Sequence, residues 1–416
     1  MMPVQILGIW FRGLFSFAAL GLAAYLLYRG FEEVRDHPDP PPDRPELAGV
    51  ADGTDTDARG EEGEHRARVM AYFIGGGTLL ALSLLGGPGL VPLLLARGGG
   101  AGPEVSDGET HRLARPDGSE LHVVIDGPPD APTIVLTHGW GANRDEWLEL
   151  RHHLAGRFRL IMWDLPGLGR SKRPDNRDYR LETLAGHLDA VVELAGGRPV
   201  VLLGHSIGGM ITLTYCQQFP GAIGPKVAGL VLVHTTYTNP VRTTKNAPLY
   251  TALEKPLIVP LLHLTIALSP LVWLMNWMSY LNGTLHLSTA RQSFAGRQSR
   301  EQLERATRFA PHGSPAVLAR GMFGMLRYDA TASLRSIAVP ALVVAGDRDP
   351  ILLPEASERI RDGIPDSRLE TLAPARHMGL MEHHERFARE VAAFVEATAG
   401  AAGAGPASRP TSRQPR

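Results

Sequence analysis

The residues in this chain best suited to chemistry are Ser206, His377 and an aspartate at 347 or 349. The serine sits in Gly204-His205-Ser206-Ile207-Gly208-Gly209. The apolar run at 200–203 ahead of it reads as a buried strand, and 210–219 behind it reads as a helix. Strand, Gly-x-Ser-x-Gly, helix is the setting of a nucleophile elbow. A serine at the tip of so sharp a turn has strained backbone angles, and a side chain at Gly204 or Gly208 would clash across the bend. The turn lifts the Ser206 hydroxyl clear of the sheet. It also leaves the Ile207 amide, beside a helix N-terminus, aimed at whatever that hydroxyl attacks. The blander account of the same residues is a glycine-rich turn capped by a serine.

A reactive serine needs a base, an orienting acid and a second oxyanion donor. The chain offers each at the end of an expected strand. Strand 133–137 runs into His138-Gly139-Trp140-Gly141, and strand 340–345 into Gly346-Asp347-Arg348-Asp349-Pro350. Strand 368–372 leads to Ala375-Arg376-His377-Met378-Gly379. The order is oxyanion loop, serine, acid, histidine, with the turn Asp164-Leu165-Pro166-Gly167-Leu168-Gly169-Arg170-Ser171 between the first two.

In these motifs residues 108–397 resemble the α/β-hydrolase superfamily of serine esterase and lipase type. The resemblance implies a mostly parallel eight-stranded sheet with helices on both faces and an inserted helical cap. It makes Ser206 the nucleophile and His377 the base. It places the acid a few residues past its strand and before a turn. Pro350 marks that turn, which favours Asp349 over its competitor Asp347 and leaves the other to cap the loop. The oxyanion donors become the backbone amides of Trp140 and Ile207, with His138 and Gly139 forming the oxyanion loop. His205 then has a packing role, and Asp164 and 167–171 are structural. His383 and His384 read as solvent-facing at a helix start. A serine nucleophile argues against the epoxide-hydrolase and dehalogenase branches, which use an aspartate there.

The flanking sequence fits such a sheet. Segments 110–113 and 121–125, joined by Arg115-Pro116-Asp117-Gly118, read as a hairpin with an Asp-Gly turn. A helix near 144–154, a strand at 159–163, a helix at 181–194 and strands at 199–203 and 228–234 follow. Strands alternating with helices imply parallel pairing through right-handed crossovers. The hydrolase core is therefore expected at 109–238 and 330–397. The segment between, 239–329, breaks the alternation and is expected to form the cap. Its apolar stretches at 256–262 and 266–280 include Trp273, Met275, Trp277 and Met278. They read either as the cap's own core or as an acyl tunnel or bilayer-dipping face.

The N-terminal part is of another kind. Residues 1–28 and 69–97 are each apolar enough and long enough for a transmembrane helix, which takes ~20 residues. Arg12 interrupts the first and could snorkel to the near interface. No basic side chain precedes the apolar run and no small-x-small site follows it, which favours an uncleaved anchor over a signal peptide. The glycines at 75–77 and 86–87 suit close packing of a transmembrane hairpin. Residues 29–68 are acidic and proline-rich and read as a disordered loop, 98–108 as a flexible linker and 398–416 as a disordered tail. Arg29, Arg35, Arg59, Arg66 and Arg68 flank the loop, against Arg97, Arg112 and Arg115 on the other side, so the positive-inside rule leans towards an extracytoplasmic hydrolase.

A formal net charge of −1 gives no basic field and no case for nucleic-acid binding. Cys216 is the only cysteine, so no intrachain disulfide or cysteine zinc site can form, and it reads as a small core residue. The mechanism implied needs no cofactor and no metal. The expected activity is cleavage of carboxylic esters through an acyl-enzyme. The hairpin and apolar cap make the expected partners a lipophilic ester and the lipid bilayer, as in membrane-anchored monoacylglycerol lipases. A carbon–carbon bond hydrolase or a thioesterase resembles the same motifs. An inactive hydrolase-like scaffold or receptor would usually have lost one of them. The sequence does not specify an oligomeric state.

Overall fold

The computed structural model describes residues 2–37, 55–97 and 108–403. The strands are β1 (Glu109–Ala114), β2 (Glu120–Asp126), β3 (Thr133–Thr137), β4 (Arg159–Trp163), β5 (Val200–His205), β6 (Val227–Val233), β7 (Ala341–Gly346) and β8 (Ser367–Leu372). They form one eight-stranded sheet in the order β1-β2-β4-β3-β5-β6-β7-β8. β2 pairs antiparallel with β1 and β4, and every other pairing is parallel. β3, β5 and β7 are buried at every position, which is why they read as unbroken apolar runs.

The helices in chain order begin with α1 (Gln5–Asp36), α2 (Asp55–Leu85) and the short α3 (Val91–Leu95). Next come α4 (Leu148–Leu154), α5 (Leu181–Val192) and α6 (Ile207–Gln218), one after each of β3, β4 and β5. The cap between β6 and β7 holds α7 (Ala247–Leu253), α8 (Val259–Ala267), α9 (Ser269–Leu281), α10 (Thr284–Ser293), α11 (Arg300–His312) and α12 (Pro315–Leu326). The fold closes with α13 (Pro354–Gly363), α14 (Gly379–Glu382) and α15 (His384–Gly403). Side chains alternate across the sheet. Val135, Ile161, Leu202 and Leu230 pack on one face with Leu184, Leu188 and Met210. Ile134, Leu160, Leu203 and Val231 pack on the other with Leu150, Leu154, Phe387 and Val391.

Two N-terminal helices, Gln5–Asp36 and Gly60–Leu85, have the length and apolarity to cross a membrane. They cross closely where Gly76 meets Leu27, with a β-carbon on Gly76 falling 2.9 Å from the Leu27 side chain. Phe31 and Phe73 meet edge to face at 5.0 Å. The acidic loop expected at 29–68 is shorter than its composition suggested. α1 continues to Asp36 on the Arg29–Glu32 and Arg29–Glu33 pairs, and α2 starts at Asp55 and carries an Arg66–Glu62 pair. The remaining loop residues, 38–54, lie outside the described residues, as do 98–107 of the linker and 404–416 of the tail. The tail's first residues instead extend α15 to Gly403, through alanines that favour helix. The second apolar segment is not one straight helix to 97. Its α-helix gives way to a π-helical turn at Gly86–Leu90 before the short α3.

The first turns of α1 do not stand apart from the hydrolase. Met2, Ile6 and Ile9 are buried in the apolar cluster that also holds Ile207 and the cap's Leu262, Val272 and Met275. Trp10 Nε1 donates to Thr265 Oγ1 at 2.9 Å, and Asn282 Nδ2 donates to Ser16 Oγ at 2.7 Å. In the cap, the segment Ala247–Ala267 meets Ser269–Leu281 at 99°. Among the described residues, every exposed large apolar side chain lies on α1–α3 or in the cap between Leu249 and Leu274.

A β-carbon on Gly87 would land on the Tyr280 carbonyl oxygen at the end of α9, whereas one on Gly77 meets nothing within 4 Å. Gly87→Ala should therefore lower the melting temperature of the detergent-solubilised protein, at a cost of about 1–3 kcal/mol. Gly77→Ala should leave it unchanged or raise it slightly.

Candidate active site

Ser206 sits between β5 and α6 with φ 57° and ψ −117°, a conformation L-residues rarely adopt. The glycines make it possible. A β-carbon on Gly204 would strike the Gly208 backbone, and one on Gly208 would strike the Thr137 carbonyl. The turn is pinned on both sides of the serine. Its N–H donates to Val233 O at 2.9 Å, and Thr235 Oγ1 donates to its carbonyl at 2.6 Å.

His377 lies beyond β8 with Nε2 3.1 Å from Ser206 Oγ and Nδ1 2.7 Å from Asp349 Oδ2. Asp349 follows β7 and is oriented by the Ile351 and Leu352 amides, which donate to its Oδ1 at 2.9 and 3.2 Å. A carboxylate on Nδ1 holds the proton there and leaves the Nε2 lone pair facing the serine hydroxyl. Asp347 is elsewhere: its Oδ1 accepts the Ala375 amide at 2.8 Å and fastens the loop that carries His377. Burial works against the Asp349 carboxylate. The neighbouring His377 and His234 outweigh it and hold the carboxyl well below its usual range. Burial also pushes the His377 imidazole below its ordinary value, against the pull of Asp349 and with help from His205.

Three further groups act here in ways the sequence did not show. Glu146 is buried and accepts the Gly139 amide at Oε2, 2.8 Å, while its Oε1 takes His205 Nδ1 at 2.9 Å. His205 Nε2 donates to the His377 carbonyl at 3.1 Å. The expectation that His205 merely packs is therefore incomplete: with Glu146 it ties the His138–Gly139 loop, the serine turn and the histidine loop together. Glu146 is one acidic residue among several at 145–149, and only the fold picks it out. The third group, His234, directly follows β6 at φ 43° with Nδ1 3.5 Å from Asp349 Oδ2. Burial pushes it down to about 4, so it is neutral near pH 7.

The other expected residues fall as follows. His138 Nε2 accepts the Leu165 amide at 3.0 Å, so its Nδ1–H goes to the Gly139 carbonyl at 2.8 Å and fixes that loop. Trp140 points its indole into the cap, where Nε1 donates to Leu318 O at 2.9 Å. Ile207 opens α6, so its amide is one of the donors a helix N-terminus leaves without intrahelical partners. Asp164 accepts the Arg144 and Arg170 amides at 2.8 and 3.0 Å. His383 and His384, expected to face solvent, are half-buried, and each has a partner. His383 Nε2 donates to Pro374 O at 2.9 Å, and His384 Nδ1 meets His153 Nε2 at 2.8 Å. Cys216 is buried, and burial pushes its thiol up to about 12.

Ser206 and His377 open into a cavity of about 360 Å³. Trp140 and Gly139 line it from the hydrolase, Leu285 and Phe309 from the cap, and Leu7, Ile9 and Arg12 from α1. Arg12 does not snorkel to the near membrane interface. It turns back over Gly8, and Nη1 donates to Ser288 Oγ of α10 at 3.0 Å. Among the described residues, Glu33, His37 and His65 bring metal-ligand atoms within 4.8 Å of one another. They lie at the other end of α1, roughly 30 Å along the helix from Arg12, and play no part at the serine.

This sheet, with a serine on the elbow after β5 and a histidine and aspartate on the loops after β8 and β7, defines an α/β hydrolase. Residues 134–390 match the model of the alpha/beta hydrolase family, and the chain belongs to that family. It is 30% identical over 272 residues to a pimeloyl-[acyl-carrier protein] methyl ester esterase of Methylococcus capsulatus, covering 64% of this chain and 94% of that protein. Among solved structures, a thermophilic esterase from Thermogutta terrifontis superimposes with a TM-score of 0.56 at 24% identity, covering 70% of this chain and 99% of that one. A bacterial membrane phospholipase A superimposes with a TM-score of 0.55 at 23% identity, covering 70% and 86%. The chain is a hydrolase of this fold.

The two aspartates should separate on substitution. Asp349→Asn should lower kcat by roughly 10⁴-fold with little change in fold. Asp347→Asn should retain most of the activity and instead lower stability by about 1 kcal/mol through the weakened Ala375 contact. Steady-state kinetics and thermal melts on both variants check this.

Proposed function

We propose that this chain is a membrane-anchored serine hydrolase that cleaves lipophilic carboxylic esters through an acyl-enzyme on Ser206. The observation that carries the reading is the hydrogen-bonded series Ser206–His377–Asp349 opening into a cavity walled partly by the apolar helix α1. His377 Nε2 takes the Ser206 hydroxyl proton as Oγ adds to the ester carbonyl carbon. The oxyanion forms against the amides of Trp140 and Ile207, a contact whose loss typically costs ~3 kcal/mol of transition-state stabilisation. The tetrahedral adduct collapses, and the His377 imidazolium hands its proton to the departing alkoxide. Water then attacks the acyl carbon, gives its proton to His377, and the acid leaves as Ser206 recovers that proton. Asp349 stays ionised throughout and stabilises the imidazolium.

Two things support the lipophilic substrate and the anchor. Among the described residues, exposed large apolar side chains are confined to α1–α3 and the cap, a distribution that suits contact with an apolar medium. The sequence relative named above is an ester hydrolase by name, with an acyl chain in its substrate. Residues 2–12 pack on the hydrolase, so the N-terminus and the catalytic body share one side of any bilayer that α1 and α2 cross. The arginines flanking the far ends of those helices then favour a hydrolase outside the cytoplasm.

The test is hydrolysis of an acyl-ester series by the full chain in bilayer nanodiscs, wild type against Ser206→Ala. Rates should rise with acyl length, and Ser206→Ala should lose roughly 10⁴-fold or more. Only neutral His377 can act as base. With its pKa below the ordinary ~6.5, kcat/KM should hold at pH 6.5 and fall only as the pH drops further. Undiminished turnover by Ser206→Ala, or preference for short water-soluble esters, contradicts the reading.

A further inference from the structure

The cavity that holds Ser206 also holds a guanidinium with no anion. Arg12 Nη1 donates to Ser288 Oγ at 3.0 Å, its Nε is shut off from solvent with no hydrogen-bond partner, and no carboxylate pairs with it among the described residues. Among the described residues, the only carboxylate lining the cavity is Glu146, whose two oxygens are taken by His205 and the Gly139 amide. Lys245 adds a second cation to the lining. A guanidinium whose Nε is shut off from water is expensive to hold unless an opposite charge meets it. Its planar fork suits the paired oxygens of phosphate or carboxylate.

The rest of that wall is built to aim the arginine inward. Gln292 Nε2 donates to Ser288 Oγ at 3.0 Å, and Gln5 Nε2 donates to Gln292 Oε1 at 3.3 Å, so α10 and the first turns of α1 share one polar seam. Gly8 leaves the surface over which the arginine folds, with Nη1 3.0 Å from where its β-carbon would stand. On a helix otherwise rich in apolar side chains, an arginine that lines the catalytic cavity without a carboxylate partner has a ligand as its natural partner.

We infer that Arg12 is an anion-binding residue of the substrate site, and that the substrate is an ester carrying a phosphate or carboxylate group on the same molecule. This deepens the esterase reading above and rests on it for the role of Ser206. The anion would sit between Arg12 and the α10 seam while the ester carbonyl lies at Ser206. The membrane-facing helix thus supplies specificity as well as attachment.

The experiment is protection of Ser206 from a fluorophosphonate probe, using the full chain in neutral detergent. Four protectants are compared: dodecyl phosphate, dodecyloxyacetate, uncharged 1-O-dodecylglycerol and inorganic phosphate. Wild type should be protected by the first two at roughly tenfold or more lower concentration than by the neutral ether. Arg12→Met should bring that ratio close to one, and Arg12→Lys should keep part of it. Inorganic phosphate should protect poorly. Equal protection by charged and neutral amphiphiles in wild type overturns the inference, as does an unchanged ratio in Arg12→Met. A proportional loss with every protectant would make Arg12 structural only. Inorganic phosphate matching dodecyl phosphate would mean a free-anion site and no substrate anion. Absence of labelling in folded wild type would instead defeat the serine-hydrolase reading. Thermal stabilisation by the same amphiphiles, wild type against Arg12→Met, would then still decide the anion site.

Discussion

Ser206 holds its hydroxyl above the sheet only because Gly204 and Gly208 let two backbone segments pass where no β-carbon fits. A non-glycine residue at φ 57° and ψ −117° carries a strain of about 1–3 kcal/mol, and the surroundings must overcome it. Val233 and Thr235 do so through the serine's own amide and carbonyl. The other parts of the site take their positions from that turn. The Ile207 amide is placed by the start of α6, and His377 by the loop that meets Ser206 Oγ. Glu146 and His205 close the arrangement by joining the three loops from behind.

What the sequence made legible was whatever backbone geometry demands of residue type. The elbow glycines, the His138-Gly139 turn and the apolar strands could be read because few other residues satisfy those positions. Asp349 and Asp347 show the limit. Both stand after β7, and spacing favours one, but only the fold places Asp349 on His377 and Asp347 on the Ala375 amide. Glu146 and His234 were invisible because their roles come from neighbours far away in sequence. His205 was legible as a bulky residue and not as a hydrogen-bond donor to two loops.

The N-terminal segments gave a similar mixture. Apolar length marked two helices, since length and composition alone set whether a helix can cross a bilayer. Composition misjudged their ends, because charged residues at 29–36 and 60–68 sustain helix through pairs one turn apart. Nothing in the sequence showed that α1 would run through the cap and line the cavity, since that depends on Met2, Ile6 and Ile9 meeting side chains hundreds of residues away. The candidate span and the hydrolase thereby become one physical unit: an apolar helix forms one wall of the catalytic cavity and continues as a candidate membrane span.

Cleavage by this site would pass through a covalent acyl intermediate on Ser206. The most direct measurement is rapid acid quenching of wild-type protein during turnover of a long-chain p-nitrophenyl ester, followed by peptide mass spectrometry. The peptide containing Ser206 should gain the mass of the acyl group within the first turnover, and the label should be absent from Ser206→Ala. Full turnover with no acyl group on that peptide at any time, or with the acyl group on another residue, would contradict it.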